Sequence, residues 1–251
     1  MSSSTRSARP KARPAKKSAG ARKPAAAKAP RRPRFRGGPR QRLAAVMPRL
    51  EKHFGAVKAP QTSSVLEKAI YLVLREGGDE AGHAALASLR EGFIDWNEVR
   101  ASRPTELAAI MSSGARGAAA RRLLETARRV KDLIDQVYGD RNDTSLEFLL
   151  EQKTKERIEY LEDLDDLGVH NAYALAQWLS GEDKLVAVAP GMAKAAHLLG
   201  LVDSAAVTKV RASLSALIKE PDELVAAQAH LTRLGELEED KWPPSLQEFL
   251  A

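Results

Sequence analysis

The chain has 251 residues, 43% of them hydrophobic, which is enough for one or two packed domains. It contains no cysteine, which excludes disulfides, thiolate zinc sites and cysteine-ligated iron–sulfur clusters. The formal net charge of +7 is unevenly divided: residues 1–50 hold 16 lysines and arginines and no acid, whereas residues 51–251 hold 24 basic and 33 acidic residues, a net of −9.

Residues 1–41 are predicted to form a disordered basic arm. They are almost wholly Ala, Pro, Lys, Arg, Ser and Gly, and a single aromatic residue, Phe35, cannot supply a core. Each Lys or Arg that neutralises a phosphate releases a counterion, so we expect the arm to bind double-stranded DNA without sequence preference. The candidate phosphate contacts are Arg31, Arg32, Arg34, Arg36 and Arg40. A solubilising tail, or adhesion to RNA without a role, is the alternative interpretation.

No membrane partner and no secretory signal are predicted. The most apolar long window, residues 185–202, is interrupted by Pro190, Lys194 and His197 and is interpreted as part of a core. The N-terminus has no apolar stretch of the kind that a secretory signal needs. We therefore expect a cytoplasmic, nucleoid-associated protein, or a nuclear one in a eukaryote.

Residues 42–251 are predicted to form an all-α domain of about ten helices. Apolar residues follow helical spacing in two stretches: Leu66, Ile70, Val73 and Leu74 in the first, and Leu123, Ala127, Val130, Ile134 and Val137 in the second. No alternating β-branched run stands out, and no repeat at a fixed period is evident.

The order of four segments along this domain resembles endonuclease III and related helix-hairpin-helix DNA glycosylases. The segments are "SSVLEKAIYLVLREGGDEAGHAALASLREGFIDWNEVRASRPTELAAIM", "GARGAAARRLLETARRVKDLI", "LEDLDDLGVHNAYALAQWL" and "LVAVAPGMAKAAHLLGLV". The resemblance covers roughly residues 42–237, and it rests on the order of weak matches rather than on one specific motif. It implies the all-α endonuclease III-like fold with a helix-hairpin-helix element.

The third segment falls where the family has its hairpin, Leu-Pro-Gly-Val-Gly-Arg-Lys-Thr-Ala. The resemblance implies a turn at Leu167–Val169 whose backbone N–H groups face a DNA phosphate. Two acids, Asp165 and Asp166, stand where the family has Pro and Gly, and a carboxylate at Asp166 is expected to weaken that contact. The candidate DNA contacts are Leu167, Gly168, Val169, His170 and Asn171.

Both catalytic positions of the family are altered. The lysine that forms a Schiff base with the sugar aligns with His170, and imidazole cannot give that imine. The aspartate that supports the developing oxocarbenium charge aligns with Ala189, whose methyl group offers no electrostatic stabilisation. We therefore assign no catalytic residue and expect β-lyase activity to be lost.

No cofactor or metal is predicted, because the five histidines show no ligand spacing. Other residues that could replace the missing groups are given structural roles: Lys153 and Lys155 on a solvated helix face, Asp203 as a helix cap, His197 and His230 on apolar helix faces, and Trp96 and Trp178 as core anchors.

Three functions are compatible with these residues. We favour a non-catalytic DNA-binding protein whose arm supplies most of the affinity, while the acidic body binds DNA weakly or recruits a protein partner. The alternatives are an active DNA glycosylase/AP lyase of base-excision repair with relocated catalytic residues, and a nucleoid-architectural or protein-interaction scaffold. A positive, open cleft around Gly168 and Ala189 would favour binding or catalysis, and an acidic or filled one would favour the scaffold.

Overall fold

Eleven α-helices and no strand are present in the part of the chain that the computed structural model describes, residues 35–57, 62–112, 114–180 and 185–250. The helices are α1 (Pro39–Phe54), α2 (Val65–Leu74), α3 (Asp79–Gly92), α4 (Trp96–Ala101), α5 (Pro104–Met111), α6 (Gly117–Arg141), α7 (Thr154–Glu162), α8 (Val169–Ser180), α9 (Pro190–Leu198), α10 (Val207–Leu217) and α11 (Pro221–Glu236). Short 3₁₀ turns follow α2, precede α7 and close the chain at Glu239–Lys241 and Pro244–Phe249.

One hydrophobic core is organised around α2 and α6. Helix α2 begins where the Ser64 hydroxyl accepts a hydrogen bond from the Glu67 backbone N–H, 3.1 Å away. Nearly all of α2 is buried, and the apolar stripe predicted on α6 faces the same core, with Leu123 half-buried at its edge. The helical faces predicted from the two periodic stretches are therefore confirmed.

A second core joins the start of the described chain to its end. Helices α1, α9, α10 and α11 enclose it together with Trp242, Leu246 and Phe249. The Arg42 guanidinium donates hydrogen bonds to the carbonyls of Phe35 (3.1 Å) and Phe249 (3.2 Å). The Phe35 ring packs 4.8 Å from that of Phe249.

These contacts place residues 35–41 in the folded body rather than in the arm, whose boundary was expected after residue 41. Helix α1 already begins at Pro39, with proline in the first turn where its missing N–H is not needed. The disorder was predicted for residues 1–41; of these, residues 1–34 lie outside the described residues.

Close packing of α9 on α11 fixes the start of α9. A Cβ added to Gly235 would lie 1.9 Å from the carbonyl oxygen of Gly191, so only hydrogen fits there. Ala189 immediately precedes α9 and is buried, as are most apolar residues of the 185–202 window. None of the described helices combines the length and apolarity needed to cross a bilayer.

Candidate functional site

A cavity of about 310 Å³ opens between elements of the two cores. Its walls come from the turn after α2, the start of α3, helix α8, the start of α9 and helix α11. We refer to this space as the cleft. Its ionisable wall residues among those described are Arg75, Glu76, Asp79, His170, Arg233 and Glu236.

His170 and Ala189, the residues that the resemblance aligns with the family's two catalytic positions, both line the cleft. His170 is the second residue of α8, and burial lowers the pKa of its imidazole; the nearby Glu76 acts in the opposite direction, and Arg75 and Arg129 lower the pKa further. The imidazole is thus held toward its neutral form. No lysine is among the described residues that line the cleft, so no amine is positioned there to form an imine.

Glu76 is held by partners from two other helices. Arg129 of α6 pairs with both of its carboxylate oxygens, at 2.5 and 3.1 Å. The Asn171 amide of α8 donates to Oε1 of Glu76 at 2.8 Å and to the carbonyl of Leu167 at 2.9 Å. The Glu76 carboxylate therefore links the cleft to the turn before α8.

A second ion pair lies on the opposite wall. Arg233 of α11 binds the Asp79 carboxylate and donates to the Phe54 carbonyl at 3.2 Å. Burial, with the Asp79 charge nearby, raises the pKa of Tyr71 to about 12. Burial also raises the pKa of the Glu236 carboxyl, and the carboxylates of Glu76 and Asp79 add to this effect against the two arginines.

The cleft is therefore open but not positive. Three carboxylates face two guanidinium groups and a histidine whose pKa is lowered, among the wall residues that the structure describes. A positive, open cleft was expected for DNA binding or catalysis, and an acidic or filled one for a scaffold. The cleft is open, which favours binding, but its charge is mixed, which does not.

Helices α7 and α8 are joined by a turn over residues 163–168, which we call the hairpin turn. Gly168 closes it with φ of 78°, a left-handed conformation that favours glycine, and nothing lies within 4 Å of where its Cβ would be. The turn was expected at Leu167–Val169, whereas Val169 is already the first residue of α8. The backbone N–H groups of Gly168 and Val169 make no hydrogen bond within the described residues.

The candidate DNA contacts at this turn differ in accessibility. Val169 is 57% exposed and Gly168 and His170 are partly exposed. Leu167 and Asn171 are fully buried, so the Leu167 side chain serves the core and the Asn171 side chain serves Glu76. Their side chains are not available to DNA in this conformation.

Two acids remain on the hairpin turn, as the sequence indicates. Asp165 is exposed, and the partly buried Asp166 has a raised pKa because of burial and the neighbouring carboxylates of Asp132 and Asp165, against the effect of Arg129. Arg129 also donates to the Asp166 carbonyl at 2.9 Å.

The other residues considered from the sequence lie away from the cleft or have structural partners. Arg36 and Arg40 are exposed near the start of α1, whereas Arg31, Arg32 and Arg34 lie outside the described residues. Lys155 pairs with Glu159 at 3.3 Å, and neither Lys153 nor Lys155 lines the cleft. Asp203 does not cap a helix as expected, because α10 begins at Val207 and the Ser204 hydroxyl accepts from the Ala206 N–H instead.

The histidines and tryptophans given structural roles from the sequence differ in burial and in their contacts. His230 is buried as expected, but its Nδ1 has no hydrogen-bond partner among the described residues. His197 is exposed, and its Nδ1 lies 3.3 Å from the Val202 carbonyl oxygen. Trp96 and Trp178 pack against the first core, and Trp178 also lines the cleft beside Tyr71. No cluster of histidines and acids able to hold a metal occurs among the described residues.

Sequence reasoning missed most of the cleft wall. Arg75, Glu76 and Asp79 lie in the "LREGGDEAG" segment, which carries no recognisable family motif, and Arg233 and Glu236 come from α11 far along the chain. The segment's density of charge directly after the buried helix α2 was the one available signal.

Comparison with known proteins supports the fold. No family model matches the chain, and no curated protein matches it in sequence. Among solved structures it is similar to an endonuclease III in a non-covalent complex with DNA, at 16% identity and a TM-score of 0.56, covering 82% of this chain and 90% of that one. The all-α, endonuclease III-like fold predicted from the sequence is therefore confirmed.

Proposed function

We propose that this protein binds DNA without β-lyase activity. The observation that carries the proposal is that His170 and Ala189 line one cleft in an endonuclease III-like fold, and that no described wall residue is a lysine. Imine formation needs an amine, and a neutral imidazole supplies none. Two of the cleft's carboxylates, Glu76 and Asp79, are already paired with arginines.

DNA binding is supported by two features of different kinds. The hairpin turn presents unpaired backbone N–H groups beside an open Gly168, a geometry suited to a phosphate oxygen. The basic arm supplies positive charge: residues 1–34 contain 12 lysines and arginines and no acid. The structural neighbour is itself a DNA complex.

Two assays on the full chain test the proposal. Fluorescence anisotropy measures binding to duplexes that are undamaged or carry an abasic site, an oxidised pyrimidine or a mismatch. Borohydride trapping on the abasic duplex detects an imine, with an active endonuclease III as the positive control. We expect binding and no covalent adduct. An adduct would show that another amine, such as Lys153 or Lys155, has taken over and would refute the loss of lyase chemistry.

A glycosylase without lyase activity is the second candidate, because Glu236 lines the cleft with a raised pKa. A carboxyl that stays protonated nearer neutral pH is suited to donate a proton to a departing base. Base release from the same duplexes, measured after alkaline strand cleavage, tests it. Release that is abolished by Glu236→Gln but not by Asp203→Asn would favour this candidate, and no release from any duplex would eliminate it for those lesions.

A further inference from the structure

The first half of α6 is unusually basic for the acidic body. Residues 114–131 carry six lysines and arginines and a single acid, Glu125, whereas residues 51–251 as a whole have a net charge of −9. This local excess of positive charge within a negatively charged body produces a distinct positive surface.

Three of these arginines have no role inside the described fold. Arg116, Arg121 and Arg122 are exposed, and their guanidinium groups make no ion pair or hydrogen bond with any residue that the structure describes. By contrast, Arg129 is used by Glu76 and Asp166, and Lys131 pairs with Asp135. We call Arg116, Arg121 and Arg122 the α6 arginines.

One of the α6 arginines, Arg122, lies on the face of α6 that contacts the hairpin turn. Gln136 of α6 donates to the Asp163 carbonyl at 2.7 Å and accepts from the Asp165 N–H at 3.2 Å. Arg129 contacts the same turn through Asp166. The turn therefore runs beside α6 between residues 129 and 136.

Toward its N-terminus, α6 extends from this contact to the α6 arginines. Arg122 is seven residues before Arg129, so it lies on the same helical face, about 10 Å farther along the axis. A duplex that rests against the hairpin turn would thus meet Arg122 next to it. Arg121 is the adjacent residue on α6, and Arg116 lies farther along at the N-cap of the helix.

We infer that the α6 arginines bind DNA backbone phosphates and give the body a contact with duplex DNA that does not depend on the arm. This inference rests on the proposed function. Guanidinium groups suit phosphate because they offer two parallel donors and keep their charge. Continuity with the hairpin turn favours a duplex over an acidic protein segment as the occupant.

The first test compares full-length variants in which three charges are removed. One variant carries Arg116→Gln, Arg121→Gln and Arg122→Gln. The matched control carries Lys209→Gln, Lys219→Gln and Lys241→Gln, three exposed lysines outside α6. Binding to an undamaged duplex and, separately, to a polyglutamate chain is measured from 50 to 200 mM salt.

We expect the α6 variant to reduce the steepness of log K against log salt by roughly 2 to 3, since each phosphate contact contributes about 0.9. The control variant should keep the wild-type slope. Equal slopes in the two variants would overturn the inference while leaving the proposed function intact. Loss of polyglutamate binding without loss of DNA binding would overturn it in favour of an acidic protein. A wild-type chain that binds no DNA would refute the proposed function itself.

A second measurement does not depend on removing arginines. Because the chain has no native cysteine, a single one can be introduced at exposed Ala118 in the first turn of α6, or at exposed Ala212 on α10 as the control. Saturating duplex DNA should slow alkylation of Ala118→Cys several-fold and leave Ala212→Cys unchanged. Equal alkylation rates with and without DNA at both positions would contradict the inference.

Discussion

At the residue scale, His170 and Ala189 decide the chemistry of the cleft together. In the proposed assignment the first stands where the family has its amine and the second where it has its carboxylate, although the two positions are separated along the chain by nineteen residues. Both residues line one cavity, and neither an imidazole nor a methyl group supplies an amine or a carboxylate there.

Restoring the lysine alone should therefore not restore β-lyase activity. The His170→Lys variant places an amine in the cleft, but Ala189 still offers no carboxylate for the developing positive charge. We expect borohydride trapping to give no adduct above the wild-type background, and the double variant with Ala189→Asp to give the larger signal of the two. Efficient trapping by the single variant would show that the carboxylate is dispensable here.

His230 makes stability depend on pH. It is buried with Nδ1 unpaired among the described residues and its ring stacked at 6.2 Å on Phe54. Burial lowers its pKa, and Arg233 lowers it further against the opposing charges of Glu51 and Asp79. The unfolded chain therefore binds the His230 proton more tightly than the folded protein does. The stabilising contribution of neutral His230 is complete above the ordinary pKa of 6.5 and is lost as the pH falls below that value.

Urea unfolding at pH 7.5 and 5 measures this dependence. The His230→Leu variant should lose less stability than the wild type over that interval, by at most about 1.4 kcal/mol per pH unit for one proton. Part of the dependence should remain, because the pKa of His170 is lowered too. Identical pH dependence in the two proteins would show that His230 binds its proton equally well in the folded and unfolded states, so that folding does not lower its pKa.

At the element scale, the contact between α9 and α11 sets one wall of the cleft. Gly191 and Gly235 allow the two backbones to approach until no Cβ fits at Gly235. Gly235→Ala should destabilise the protein by about 2–3 kcal/mol through forced separation of these helices. Gly139→Ala, in open space on α6, should be neutral or stabilise by about 0.5–1 kcal/mol. Thermal unfolding compares the two, and a tolerated Gly235→Ala would mean that α9 can move away.

The hairpin turn between α7 and α8 has backbone N–H groups, unpaired among the described residues, that suit a phosphate oxygen, but it also carries the carboxylates of Asp165 and Asp166, which repel phosphate. Asp166→Asn removes one carboxylate without changing side-chain size and should raise duplex affinity several-fold at 50 mM salt, with less gain at 200 mM because salt screens the repulsion. Asp203→Asn, which removes one negative charge from an exposed position away from the hairpin turn, serves as the control. Equal effects of the two variants would indicate that duplex affinity depends on the net charge of the protein and not on the location of a carboxylate in the hairpin turn.

At the scale of the whole molecule, basic charge is in excess in the arm and in residues 114–131 at the start of α6. Deletion of residues 1–34, which leaves Phe35 and its contact with Phe249 in place, should remove most of the duplex affinity and most of its salt dependence. Salt-dependent anisotropy measures the loss, and the residual slope should correspond to the few contacts of the α6 arginines. A deletion variant that binds as tightly as the full chain would make the arm dispensable.

Local sequence was sufficient for the helices and for the fold class. The stripe on α6 was readable because burial on one side of a helix imposes a 3.6-residue period on neighbouring residues. Helix α2 is buried on nearly all sides, so its readable signal was the density of its apolar residues. The position of Gly168 in the hairpin turn was equally readable, since a left-handed residue between two helices favours glycine. The first residues of α1 and α8 could not be read from the sequence. The chain before α1 is held by the contact of Phe35 with the distant Phe249, and Val169, expected in the turn, is already the first residue of α8.

By itself the sequence determined the all-α fold and the separation of a basic stretch from an acidic body. Only the tertiary structure decided that His170 and Ala189 share a cleft, that Asn171 is committed to Glu76, and that the cleft carries mixed charge. The reason is physical: a helix is specified by residues three and four apart, whereas the pair of Asn171 with Glu76 joins side chains 95 residues apart whose meeting depends on how every intervening helix packs.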